Sequence, residues 1–194
     1  VKAVFMALDQ EQIIKGAYGD SMATAANSIF SNRNTFYDES VKGYTQDLEQ
    51  AKKLAKETGL AGKTITLYYN TDRSYMEATA LLIQEQLKAI DVDVKIQGVD
   101  ANGFFDVVFT DKDDYELYLN EYAAIGDPDN VVSGMYDGTW GNNIDTPQEI
   151  LDLFKKGRET TNTEERAKIY KELQQKANES YLMYPIAYPN YCFA

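Results

Sequence analysis

The stretch AAIGDPDNVV, Ala123 to Val132, sets two carboxylates, Asp127 and Asp129, on either side of a proline and follows them with the amide of Asn130. Carboxylates so placed can accept hydrogen bonds from an ammonium, ligate a hard cation or act as an acid–base pair. They can equally do no more than close a turn, because Gly, Asp, Pro and Asn are the residues that tight turns select. The acid–base reading is the weakest, since two aspartates among 31 acidic residues carry no signal of a catalytic separation. A second acidic run, Asp111, Asp113 and Asp114, invites calcium, but Glu116 stands where an EF-hand loop needs its central glycine and Tyr122 where it needs its closing glutamate. A solvated loop fits that run better. Trp140, the only tryptophan, lies in the polar run DGTWGNN and can stack on a ligand or plug a core. Asn70, at the end of the apolar run TITLYYN, and Tyr122, just before the aspartate loop, complete the set of candidate contacts: Asn70, Tyr122, Asp127, Asp129, Asn130 and Trp140.

Other chemistries are excluded by composition. There is no histidine, which removes Ser-His and Cys-His catalysis, imidazole metal ligation and the commonest general base near neutral pH. One cysteine, Cys192, makes neither an internal disulfide nor a thiolate metal site. A net charge of -12 repels polyanions, and the basic pairs Lys52-Lys53 and Lys155-Lys156 sit among acids at helical spacing, so nucleic acid is not an expected partner. No run approaches the roughly 20 apolar residues that span a bilayer, and the opening VKAVFMALD has neither the charged nor the apolar region of a leader. No cofactor is called for.

The elements that must position these residues follow from periodicity. Helical spacing runs through Val1 to Ala17, with a restart at Asp9-Gln10-Glu11; Gly19 to Gly43 reads as a long loop pinned by Phe30, Phe36 and Tyr37. A helix is expected with Thr45 as N-cap, Leu48, Ala51, Leu54 and Ala55 on one face, and Gly59 as its stop. Thr64 to Tyr69 alternates as a strand; Ser74 is expected to cap a helix with the stripe Met76, Ala80, Ile83, Leu87, Ile90; Val92, Val94 and Ile96 alternate in a second strand. Strand, helix and strand within about 35 residues is the pattern of a right-handed parallel crossover. A short helix is expected over Phe104 to Phe109, and a third strand around Leu117 and Leu119 leads into the aspartate loop, so that loop follows the rim where open α/β sheets collect ligands. Pro147 at the first helical position and Thr163 as N-cap open two more helices, the first with Ile150, Leu153 and Phe154 inward and the second with Ala167, Tyr170, Leu173 and Ala177. Met183 to Tyr188 closes as a strand interrupted by Pro185. The length favours one compact unit.

These segments, in this order, resemble the C-terminal lobe of the extracellular solute-binding proteins of the oligopeptide, dipeptide and nickel class, the receptors of ABC importers. VKAVFMALDQEQII is similar to the family's opening helix pair, with Asp9 at its aspartate. Tyr44 to Leu54 resembles the segment before a glycine such as Gly59. ITLYYNTDRSYMEATALLIQEQLKAIDVDVKI resembles the family's strand, helix and strand, with Asp91 where glycine is usual; Arg166, Tyr170 and YLMYPIAYP resemble its closing segment. The resemblance implies an α/β fold: a single lobe, residues 1–194, of the periplasmic-binding-protein-like type II fold, with a mixed, mostly parallel sheet flanked by helices. It implies a non-enzymatic receptor, outside the cytoplasm as a cell-surface lipoprotein or periplasmic protein, that encloses a peptide or other small solute against an N-terminal lobe missing here and delivers it to the permease subunits. In peptide-binding members an aromatic residue ends the strand, and an aspartate shortly after it pairs with the peptide's amino group. Tyr122 matches the aromatic, whereas the aspartate's place falls on Ala124 or Ile125. That departure leaves open an oligosaccharide or a chelated metal as ligand on the same scaffold.

Overall fold

The structure, a computed structural model, describes residues 1–110, 115–122, 126–129, 132–139 and 144–190. The backbone folds into two compact units where the length alone favours one: Val1–Ala25, Thr45–Glu121 and Ile186–Ala194 form the first, and Ala26–Tyr44 with Tyr122–Pro185 the second.

In the first unit, α1 (Lys2–Ala7) and α2 (Gln10–Ala17) are separated at Asp9, whose carboxylate accepts from the Gln12 N–H and caps the second helix. β1 (Ala23–Ala25) follows, a short strand inside the stretch expected to be loop throughout. α3 (Leu48–Glu57) starts at Asp47 instead of Thr45, because the Asp47 carboxylate accepts from the Gln50 N–H; it ends before Gly59, whose φ of 70° is the left-handed turn glycine permits. β2 (Lys63–Asn70), α4 (Ser74–Leu87) and β3 (Val92–Val99) make the expected crossover, with β2 and β3 parallel in the register Lys63↔Val92 to Asn70↔Val99. Ser74 is the first helical residue of α4 and does not cap it; Arg73 holds the N-cap position without a side-chain bond. The stripe Met76, Ala80, Ile83, Leu87 and Ile90 is buried, as are Ile65, Leu67, Val92 and Val94 on the strands. Each fully buried aliphatic side chain contributes about 1.5–3 kcal/mol. A single 3₁₀ turn, Lys88–Ile90, closes on Asp91, which adopts φ 59°, ψ 44°. Aspartate tolerates that left-handed conformation better than most residues, and a glycine at this position would avoid its strain altogether.

Beyond β3 come α5 (Ala101–Phe105), a π-helical turn (Asp106–Thr110) and β4 (Leu117–Leu119), parallel to β2. Among the described residues the strand order is β3-β2-β4, and β5 (Ala187–Pro189) pairs antiparallel with β1. The expected strand from Met183 shrinks to these three residues, since Pro185 has no N–H to give a ladder.

The second unit contains α6 (Val132–Tyr136), α7 (Gln148–Glu159) and α8 (Thr163–Ser180). Pro147 sits at the N-cap of α7 instead of the first helical position, and Asn162, not Thr163, caps α8 by accepting from the Glu165 N–H. Phe30, Phe36, Val132, Tyr136, Ile150, Phe154, Tyr170 and Leu173 build its core, while Ala167, expected inward, is exposed. Two buried amides one turn apart on α8 fasten the segment 26–44. The fully buried Gln174 donates to the Phe36 and Tyr170 carbonyls, both at 3.0 Å, and accepts from the Ser28 hydroxyl at 2.7 Å; Asn178 donates to the Asn27 and Lys42 carbonyls at 2.8 and 3.0 Å. These bonds satisfy backbone carbonyls that an irregular segment cannot pair in a ladder. No helix among the described residues is long and apolar enough to cross a membrane.

Candidate functional site

The aspartate loop belongs to the second unit. Gly126 adopts φ 88° and forms an isolated parallel bridge with the buried Asn34. Asp127 Oδ1 accepts from the Asp129 N–H at 3.1 Å, a local turn, and the Pro128 and Asp129 carbonyls accept from the Val132 N–H and the Ser133 hydroxyl at 3.2 and 2.7 Å, which launches α6. Turn chemistry is therefore real here.

Both carboxylates also have arginine partners. Asp127 Oδ2 accepts from Arg166 Nη2 at 2.8 Å, and Asp129 Oδ1 accepts from Arg158 Nη1 at 3.0 Å. Arg158 comes from the last turn of α7 and Arg166 from the first turn of α8. Arg166 is the better anchored. Its Nε donates to the Gly157 carbonyl at 2.8 Å, its Nη2 also reaches the Tyr170 hydroxyl at 3.2 Å, and its guanidinium lies 4.8 Å from the Phe36 ring centre and 5.3 Å from that of Tyr170. Packing on rings and forked hydrogen bonding are what distinguish guanidinium from ammonium. Gly157 is needed for this approach, because a Cβ there would stand 2.5 Å from Cζ of Tyr170. Burial pushes the Asp129 carboxyl above its ordinary range; the neighbouring Arg158 charge opposes that shift and the Asp127 charge adds to it.

Tyr122 is half-buried against the second unit's core, its hydroxyl donating to the Ile29 carbonyl at 2.9 Å. Asn70 belongs to the first unit, where its Oδ1 accepts from the Asp72 N–H at 2.9 Å and shapes the turn from β2 into α4. Tyr69 is buried, as the alternation predicts. Asn130 and Trp140 lie outside the described residues, as do Ala124, Ile125, the run Asp111 to Asp114 and Cys192. The structure thus brings Asp127 and Asp129 together with Arg158, Arg166, Phe36 and Tyr170. Sequence reading misses Arg158 altogether, although two of the chain's four arginines falling on consecutive helices just after an acidic loop is an available signal.

A second polar group sits in the first unit at the start of α4 and the end of β4. The Tyr75 hydroxyl donates to Glu121, Arg73 Nε lies 3.4 Å from the same carboxylate oxygen, and Tyr18 stacks on Tyr75 at 4.7 Å. Burial first, and then the bond to Glu121, raises the Tyr75 phenol far above its ordinary value. Neither cluster contains an activated nucleophile, and among the described residues no group of three acidic, Cys or His side chains is placed to hold a metal ion.

A parallel sheet of order β3-β2-β4, with α4 crossing over between β2 and β3 and the chain running on from β4 towards the aspartate loop, is an α/β arrangement that places that loop after a strand's carboxyl end. The profile of the bacterial extracellular solute-binding proteins, family 5 Middle, matches residues 2–143, and the chain belongs to that family. Its sequence is 27% identical, over 97% of its length, to the di/tripeptide-binding protein 2 of Pseudomonas aeruginosa. The ABC transporter substrate-binding protein CtaP of Listeria monocytogenes superposes on 97% of the chain with a TM-score of 0.87 at 31% identity. The dipeptide-binding protein of Pseudoalteromonas sp. SM9913, solved with Met-Leu, superposes on 97% with a TM-score of 0.84 at 25% identity. The chain spans 37% of the length of the Pseudomonas relative and 39% of each of the two solved chains. The fold is accordingly a partial single lobe of this α/β architecture.

Proposed function

We propose that the chain is the C-terminal lobe of a larger receptor, residues 1–194 closing on an N-terminal lobe to hold a short peptide and present it to the permease subunits of an ABC importer. The observation that carries this reading is the superposition over 97% of the chain on a substrate-binding protein of an ABC transporter, with a dipeptide complex close behind. Ligand would stabilise the closed state through contacts that the open state lacks. The protein works outside the cytoplasm, in a periplasm or held at the cell surface by a lipid anchor, and is a receptor without catalytic turnover. Tyr122, Asn70, Asn130 and Trp140 are the proposed ligand contacts, and Asp127 and Asp129 shape the loop that leads to Asn130. Titrating the complete protein with dipeptides in a calorimeter tests the reading: saturable micromolar or tighter binding is expected, and no binding heat from any member of a broad dipeptide panel would contradict it.

A second reading keeps the scaffold and changes the solute to an oligosaccharide or chelated metal. It is favoured by one observation, that Ala124 and Ile125 stand where an amine-pairing aspartate is expected while both nearby carboxylates already have arginine partners. Saturation by an oligosaccharide or a metal chelate and by no peptide would establish it.

A further inference from the structure

The loop 126–129 raises a question of charge that the proposed function does not answer: are its two carboxylates offered to the ligand, or used up in holding the loop? An aspartate that recognises a ligand ammonium must keep an oxygen directed at the ligand and a net negative charge to give it. Here each negative charge has a guanidinium within hydrogen-bonding distance, Asp127 with Arg166 at 2.8 Å and Asp129 with Arg158 at 3.0 Å. The second oxygen of Asp127 is also engaged, accepting from the Asp129 N–H. The charges of these four side chains sum to zero over the loop.

Arg166 is itself positioned, whereas Arg158 reaches Asp129 from a side chain that is 45% exposed. Arg166 is fixed at three points, by the Gly157 carbonyl, the Tyr170 hydroxyl and the Phe36 and Tyr170 rings, and its side chain is only 20% exposed. Phe36 in turn has its carbonyl held by Gln174 and its N–H by the Asn34 side chain, and Asn34 bridges Gly126. A closed circuit therefore runs from the loop to α8, through the segment 26–44, and back to the loop. A guanidinium that served only solubility would not be placed in this way.

We propose that Arg166 and Arg158 are positioning residues that clamp loop 126–129 through Asp127 and Asp129, and that these two carboxylates do not select for a charged amino terminus on the ligand. This rests on the reading of the loop as part of a ligand rim. Its consequence is specific: the clamp sets how well any ligand is held and has no part in choosing between a charged and a neutral amino end.

The test uses the complete protein with two probes, the dipeptide Ala-Phe and its N-acetyl form, together with amide hydrogen exchange of the unliganded protein. Breaking the better anchored pair by Asp127→Asn or Arg166→Met is expected to weaken both probes by the same factor, about tenfold, leaving their affinity ratio within about twofold of the parent; Arg158→Met and Asp129→Asn, at the pair with the more exposed arginine, should weaken both by less, about fivefold at most, with the same constant ratio. Asp127→Asn and Arg166→Met should speed exchange at the Asp129 and Val132 amides, both hydrogen-bonded within the loop, about tenfold without ligand. Arg166→Lys, which keeps the charge and loses the fork, should recover only part of either effect. The double variant Asp127→Asn with Arg166→Met should behave like Arg166→Met alone, because Arg166→Met already removes the bond to Asp127 along with its bonds to the Gly157 carbonyl and the Tyr170 hydroxyl. A selective loss of the free-amine probe in an Asp→Asn variant would overturn the proposal, since the carboxylate would then be a ligand contact. Unchanged exchange at the Asp129 and Val132 amides would overturn it as well, whatever the ligand. A parent protein that binds neither probe while its variants show the faster exchange would contradict the peptide reading and leave the clamp standing, so the two failures are distinguishable.

Discussion

Replacing Gln174 by leucine removes one of the two buried amide side chains that join α8 to the segment 26–44 while keeping nearly the same volume. Gln174 is 0% exposed, and its amide makes three bonds of 3.0 Å or less: to the Phe36 carbonyl, to the Tyr170 carbonyl and from the Ser28 hydroxyl. The bond to Tyr170 lies within one helical turn, so its loss matters least. The Phe36 carbonyl loses a buried donor and the Ser28 hydroxyl a buried acceptor, each costing about 1–3 kcal/mol. Better packing of an apolar side chain returns part of this, and the net destabilisation is expected to be about 2–4 kcal/mol. Urea denaturation checks the magnitude through the midpoint at unchanged slope, and hydrogen exchange checks the location, which should be the 26–44 amides. A loss under about 1 kcal/mol, or faster exchange spread evenly over the chain, would refute the claim that a buried amide holds this segment.

Gly157→Ala places a Cβ 2.5 Å from the Tyr170 ring and should cost about 1–3 kcal/mol by denaturation, while also loosening Arg166, whose Nε uses the Gly157 carbonyl. Asp91→Val puts a β-branched residue into a left-handed conformation and should cost about 1–2 kcal/mol, whereas Asp91→Gly should be tolerated within about 1 kcal/mol. Burial holds the pKa of the folded Asp129 carboxyl above the ordinary carboxylate value, so the folded chain holds that proton to higher pH than the unfolded one. Its contribution to stability is therefore full below the ordinary carboxylate range and is lost as pH rises through the raised value. Denaturation midpoints of the parent relative to Asp129→Asn should rise on acidification through that window, and Arg158→Met should move the window upward.

Periodicity makes the first unit legible in the sequence. The alternation at Ile65, Leu67 and Tyr69 and the stripe from Met76 to Ile90 state which face is buried, and two strands with a helix between them have essentially one handed solution. Helix starts are less legible, because Thr45 and Asp47, or Asn162 and Thr163, are both good caps and only the backbone decides which oxygen reaches the third N–H. The second unit is hidden for a different reason. Its segment 26–44 has no repeat, and what orders it is a set of long-range amide bonds from Gln174 and Asn178, which leave no periodic trace in the chain. The aspartate loop is recognisable as a loop from its turn residues, but partners 29 and 39 residues away cannot be assigned from local sequence.

The most direct test of the account is native mass spectrometry of the complete protein, purified without denaturant so that a captured solute is retained. A set of added masses matching short peptides is predicted. A single hexose-multiple mass, or a metal chelate, would contradict the peptide reading and make Ala124 and Ile125 the mark of a changed ligand class.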